Sequence, residues 1–221
     1  MISGDWQVAS SYRRFVADEG APLYDGSALE DLNTLALQPW ERRGGRVAYT
    51  RLGEQENINL QVVEIPPRGE LKPEHHLYEA VMYVLQGRGA TTIWQEGEPK
   101  QTVEWEDNAL LAIPLNAWHK EFNSSSDQPC RVVFGTNMAH VINLYHNLDF
   151  VFANPFSFQD RYSHSRQRFF ADAGSQLNLR LFETNFIPDI KNFLLDPYPE
   201  RGKRTSVMRL CMASASLSLH I

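Results

Sequence analysis

The feature that most constrains this chain is a rhythm of short β-branched and aromatic runs. They fall at residues 47–52, 58–65, 80–86, 90–95, 101–106, 109–113, 118–122 and 131–136, most of them bounded by Gly, Pro, Asn or Asp. Strands of that length, separated by turn residues, build an all-β sandwich or barrel. Gly87-Arg88-Gly89 and Glu106-Asp107-Asn108 supply hairpin punctuation. Ahead of this block, residues 5–18 space Trp6, Val8, Tyr12, Phe15 and Val16 in near-helical fashion with Gly20 as a stop, and an irregular arm follows to residue 46. Behind it, 138–148 reads as a short helix with Asn154-Pro155 as a breaker beyond its end. Residues 156–173 read as loop with a helical turn, 176–186 as weak strand, and 188–204 as a Pro- and charge-rich linker. Residues 207–221 read as strand material that needs a partner edge.

Composition removes several function classes. With 43% hydrophobic and 11% aromatic residues in 221, the chain can bury a proper core. Its 21 Lys+Arg against 27 Asp+Glu give a net charge of −6 with no basic stripe, so a nucleic-acid partner is not expected. The longest apolar run, 109–115, is far short of the roughly 20 residues of a membrane helix. The start of the chain lacks a charged segment followed by an apolar run and a small-residue cleavage site, so no secretory leader is expected. Cys130 and Cys211 are far apart and outside any CxxC spacing, which reads as reduced structural thiols in a cytoplasmic protein. The sequence also lacks a Gly-rich phosphate loop, a G-x-S-x-G elbow and a catalytic Cys–His signature.

Two segments carry chemistry. The first runs from Gly69 through Glu74, His75, His76 and Glu79 to Gly87. The second is Asn108 followed by Pro114-x-Asn116-x-x-His119-x-x-x-Asn123. Together they resemble the cupin superfamily, small jelly-roll barrels whose motifs are G-x5-H-x-H-x3,4-E-x6-G and G-x5-P-x-G-x2-H-x3-N. The second motif keeps its Pro, His and Asn, while Asn108 and Asn116 stand for the two glycines, a substitution suited to turns that need positive φ. In the first, counting back from Gly87 puts Ala80 at the family's glutamate, His76 at its second histidine and Glu74 at its first. On a strand Glu74 and His76 share a face, and His119 would join them from a neighbouring strand. A rival register slips by one residue: His75 and Glu79 keep the family's His-to-Glu spacing, with His119 again the third ligand, and a β-bulge before Gly87 absorbs the extra residue.

The resemblance implies an all-β cupin jelly-roll barrel with an N-terminal helix and a short helical and extended C-terminal annex. The expected division is 1–46 for helix and arm, 47–137 for the barrel and 138–205 for annex and linker. Glu183-Thr-Asn-Phe-Ile-Pro-Asp-Ile and the run from Lys72 to Asn123 look like the first barrel of longer two-barrel relatives, which makes 206–221 the stub of a second barrel. The implied cofactor is one divalent transition metal, with Fe, Mn, Ni, Cu and Zn all compatible with imidazole and carboxylate donors. Its implied partners are a small-molecule substrate, shaped by a pocket of Tyr83, Trp94, Trp118, Met82 and Phe134, and a second copy of the chain in a homodimer. Three functions stay open on these residues: a mononuclear oxygenase, a non-catalytic small-molecule-binding or dimerising module, and a metal-dependent lyase or isomerase.

Overall fold

The computed structural model describes residues 9–53, 57–162, 170, 175–178, 181–193, 197–198, 203–204 and 207–209. Helix α1 (Ser11–Asp18) is capped by Ser10, whose side chain accepts from the Arg13 N–H, and it buries Tyr12, Phe15 and Val16. The arm that follows contributes β1 (Leu23–Gly26) and β2 (Gln38–Pro39), both paired with β3 (Arg46–Leu52). The barrel continues with β4 (Asn59–Ile65), β5 (Ala80–Gln86), β6 (Gly89–Trp94), β7 (Gln101–Trp105), β8 (Leu110–Ile113), β9 (Trp118–Asn123) and β10 (Cys130–Thr136). Each run expected from the β-branched rhythm forms one of these strands, within a residue or two at its ends. The helix expected over 138–148 forms as two, α2 (Met138–Tyr145) and α3 (Leu148–Phe152), because His146 turns left-handed at φ 50° and Asn147 caps the next helix.

Two sheets form the jelly roll. The larger runs β1-β3-β4-β10-β5-β8 and ends on β13 (Phe186–Ile187), while the smaller is β7-β6-β9. Inward side chains from both fill one core that includes Met82, Ile93, Val103, Leu111 and Phe134, onto which α1 and α2 add Phe15 and Met138. Alternation along β5 sends Tyr83 to the opposite face from Met82, against Leu110 and Ile187. Beyond α3, β11 (Ser175–Asn178), β12 (Leu181–Glu183) and β16 (Val207–Arg209) form a three-stranded sheet, and β14 (Pro197–Tyr198) pairs with β15 (Lys203–Arg204) inside the stretch expected as linker. Most of the expected terminal strand, 210–221, and with it Cys211, lies outside the described residues. No helix of the described residues is long and apolar enough to cross a membrane.

The turn that hands β5 to β6 is fixed by contact. Gly87 has φ 105°, and a Cβ there would lie 2.6 Å from Cys130 Sγ and 3.0 Å from Cys130 Cα. Cys130 is buried, donates its thiol to the Arg88 carbonyl, and has its pKa pushed by burial up to about 11. Asn108 and Asn116 also have positive φ, 69° and 56°, as their place in the motif requires. Gly97, at φ 77° with no atom within 4 Å of its would-be Cβ, is the natural control for Gly87. In urea unfolding, Gly97→Ala is expected to cost about 1 kcal/mol from backbone strain alone, and Gly87→Ala at least about 2 kcal/mol because the clash adds to it. Equal losses at the two positions would show that contact with Cys130 does not set this turn.

Candidate metal centre

The segment ahead of β5 runs antiparallel to β9 without forming a full strand. Glu74 and His119 pair across it, each N–H donating to the other's carbonyl at 3.1 and 2.9 Å. Asn116 N–H to His76 O continues the pairing. This register directs Glu74 and His76 to one side and brings in His119 from β9. The ligand atoms of Glu74, His76 and His119 lie within 4.8 Å of one another, and all three residues are buried.

His75, between them in sequence, turns the other way. Its Nδ1 donates to Asn116 Oδ1 at 2.9 Å, since the Asn116 amide nitrogen already donates to Asn154 O and Phe156 O. Its ring packs on Trp118 at 4.1 Å, and Trp118 stacks with Trp94 at 6.0 Å. His75, Asn116, Trp118 and Phe156 line a cleft of about 300 Å³ whose walls do not include the Glu74–His76–His119 cluster. Glu79 is half-buried and accepts from the Asn137 amide. The bulge that the rival register needs does exist at Leu85, where β10 skips from Gln86 to Val84, but it follows the ligand-bearing segment and leaves Glu74 and His76 as the inward pair. Of the expected pocket residues, Trp94 and Trp118 come together, Met82 and Phe134 sit in the core, and Tyr83 donates to Asn108 Oδ1 on the far face of the sheet.

Each imidazole is oriented by its Nδ1. His76 Nδ1 donates to Tyr78 O at 2.9 Å with its ring stacked on Tyr78, and His119 Nδ1 donates to Ala117 O at 3.4 Å. The two rings meet edge to face at 5.1 Å. His119 Nε2 is buried and has no hydrogen-bond partner among the described residues. Burial, reinforced by Arg43, lowers the His119 pKa to about 3, and burial with the neighbouring His119 holds His76 well below the ordinary histidine range. Asn123, the last residue of the second motif, is structural: its amide donates to Ile65 O, Pro66 O and Gln128 O.

Sequence reasoning missed the charges around this cluster. Arg43, 2% exposed, places Nη1 at 2.9 Å from Glu74 Oε1 and Nη2 at 2.7 Å from Glu121 Oε2, with Nε on Lys72 O. Arg42 bonds the other Glu74 oxygen and reaches Glu19 at 2.9 Å, its guanidinium lying over Phe15, Trp40 and Phe152. Burial opposes charge on Glu74, but Arg43 and Arg42 overcome it and hold that carboxyl well below its usual range. Glu121 goes the other way, because burial outweighs the pull of Arg43 and raises its pKa. Glu121 was legible from period 2, two residues after His119 on the same face of β9. The two arginines sit in an arm with no periodicity, so nothing in the sequence aimed them at the barrel.

The chain matches known proteins in a way that agrees with this geometry. Residues 61–135 match the family model described as "Cupin domain". Cupincin of Oryza sativa subsp. indica is 26% identical over 143 residues, 61% of this chain and 29% of that protein, so the chain spans under a third of its curated relative. Solved structures overlay in part. Vicilin of Corylus avellana does so at TM-score 0.42 and 19% identity, covering 49% of this chain and 32% of its own. Lactobacillus farciminis oxalate decarboxylase gives 0.42 at 22%, covering 48% and 32%. The Schizosaccharomyces pombe Cnp3 cupin domain gives 0.41 at 16%, covering 50% and 68%. The family match spans most of the stretch from β4 to β10, including Glu74, His76 and His119, so residues 61–135 of this chain match a cupin domain and form the jelly-roll barrel described above.

Proposed function

We propose that the barrel binds one divalent transition metal through Glu74, His76 and His119 and presents it to a small organic molecule, as a mononuclear oxygenase. One observation carries the reading: a buried imidazole nitrogen, His119 Nε2, has no hydrogen-bond partner among the described residues and faces a carboxylate 3.8 Å away, with a second imidazole beside it. An orphaned polar atom in a dry interior is costly unless something fills its coordination. The donor set fits a metal in its protonation as well. Metals take neutral imidazole and ionised carboxylate, and burial and the two arginines hold the residues in those forms.

The roles of the chain's own groups follow. The Nδ1 bonds to Tyr78 O and Ala117 O leave both Nε2 atoms free to ligate. Arg43 and Arg42 orient Glu74 and keep its charge. When bound, the ion supplies Lewis-acid polarisation and open coordination positions for substrate and oxygen, as two imidazoles and one carboxylate permit. A specific observation favours a second reading, a non-catalytic module: both oxygens of Glu74 already carry guanidinium partners, which compete with a metal for the same lone pairs. The lyase or isomerase reading differs from the first only in needing no oxygen, so turnover under anaerobic conditions separates them.

Metal analysis of the purified full-length protein is expected to find close to one equivalent of a first-row transition ion, and His119→Ala to lose it. Chelator is expected to lower the melting temperature, since an ion bound only to the folded state stabilises it by mass action, about 2.7 kcal/mol at a hundredfold excess over Kd. Negligible metal in both proteins, with no response to chelator, would leave the non-catalytic module.

A pH prediction concerns the metal-free protein. His76 and His119 have folded pKa values below the unfolded value of 6.5, so the unfolded chain binds more protons as pH falls and their contribution to stability is lost from pH 6.5 toward about 3. Glu74, depressed below 4.5, is lost over the lower part of the same range, while Glu121, raised above 4.5, opposes them. Stability measured by denaturant titration is expected to fall between pH 6.5 and 4.5, and the fall to be shallower in His119→Asn. A wild-type profile flat across that window would contradict the burial of neutral imidazoles.

A further inference from the structure

We infer that Glu121 is a fourth ligand of this centre, supplying from β9 the acidic donor that β5 lacks at Ala80. The inference rests on the proposed metal centre and adds a residue to it. Glu121 is fully buried, and its Oε1 has no hydrogen-bond partner among the described residues. That oxygen lies 3.9 Å from His119 Nε2, which also has no hydrogen-bond partner among the described residues. Glu74 Oε1 lies 3.8 Å from the same nitrogen. Donors held about 2.1 Å from one ion stand roughly 3–3.5 Å from each other, so each carboxylate is within a few tenths of an ångström of that spacing to His119. Among the described residues only Glu74, His76 and His119 form a group whose ligand atoms all lie within 4.8 Å of one another, and Glu121 would have to move inward to join them.

The hydrogen bonds distinguish the two acids. Glu74 has a guanidinium on each oxygen. Glu121 has Arg43 on Oε2 alone, at 2.7 Å, and keeps Oε1 unengaged and turned toward the imidazole. Arg43 therefore acts as a positioning residue, spanning the two carboxylates and fixing the Glu121 rotamer through the oxygen that does not ligate. Strand geometry supports the assignment, because His119 and Glu121 are alternate residues of β9 and both are buried on its inward face. Ala80, the first residue of β5, is buried with a methyl group and offers no donor.

The test is cobalt(II) titration of the full chain by calorimetry, with the visible spectrum of the bound ion recorded for wild type, Glu121→Gln and His119→Ala. Glutamine keeps the size and one carbonyl oxygen but loses the charge. Glu121→Gln is expected to weaken cobalt binding at least about tenfold and to shift the ligand-field bands, reporting a changed donor set. Wild-type binding that Glu121→Gln leaves unchanged in affinity and spectrum would overturn the role of Glu121 while leaving the three-residue centre in place. Absence of cobalt binding by wild type would overturn that centre and the fourth ligand with it. If Glu121→Gln does not fold, crystals of the wild type soaked in cobalt(II) decide the matter. Glu121 Oε1 within about 2.3 Å of the anomalous peak supports the inference, and a separation beyond about 3 Å overturns it.

Discussion

One buried guanidinium joins the parts of this molecule. Arg43 leaves the arm between β2 and β3, enters the barrel at 2% exposure, and bridges Glu74 on the segment before β5 to Glu121 on β9. Without it Glu121 would lose its guanidinium and Glu74 would keep only Arg42, and removing one member of a buried ion pair costs about 3–5 kcal/mol. Arg42 extends the same chain of charges outward to Glu19 at the end of α1, which also accepts from Trp40 and Tyr49. The N-terminal helix, the arm and the interior of the barrel are thus coupled electrostatically as well as by packing, and the polar centre of the barrel cannot be understood from the barrel strands alone.

That dependence explains what the sequence made legible. Strand positions followed from short β-branched and aromatic runs bounded by turn residues, because strand propensity and turn chemistry are both written into consecutive residues. The Pro114–Asn123 motif was readable for a similar reason: a tight turn entering β9 restricts which residues fit, and Asn108 and Asn116 do take the positive φ that their positions demand. The inward pair Glu74 and His76 came from the same period-2 logic, even though their segment forms only an isolated bridge beside β9. The split between α2 and α3 was not readable, since it depends on one left-handed residue, His146, which sits in an otherwise continuous apolar pattern. Arg42 and Arg43 were invisible because their partners lie 32 and 78 residues further on, and no local pattern reports a long-range ion pair. Tyr83 was placed in the pocket by residue type alone, whereas its parity with Met82 sends it to the opposite face.

The same geometry separates two polar environments that share one short segment. Glu74 and His76 face a closed interior of paired charges and orphaned nitrogens, while His75 faces an aromatic cleft tied down by Asn116. A small molecule in the cleft would touch His75, Asn116 and Trp118, which join the buried cluster through the chain on either side of His75, the Asn116 N–H bond to His76 O and the peptide between Trp118 and His119. The two environments are therefore addressable separately by substitution at alternate positions.

The buried thiol beside Gly87 has a practical consequence. Cys130 is pressed against the turn between β5 and β6 with its proton held up to about 11. A reagent that needs thiolate cannot attack it while β5 and β10 remain zipped together. Its rate of alkylation would then count the openings of the central strand pair, so this side chain serves as an internal clock for the breathing of the barrel.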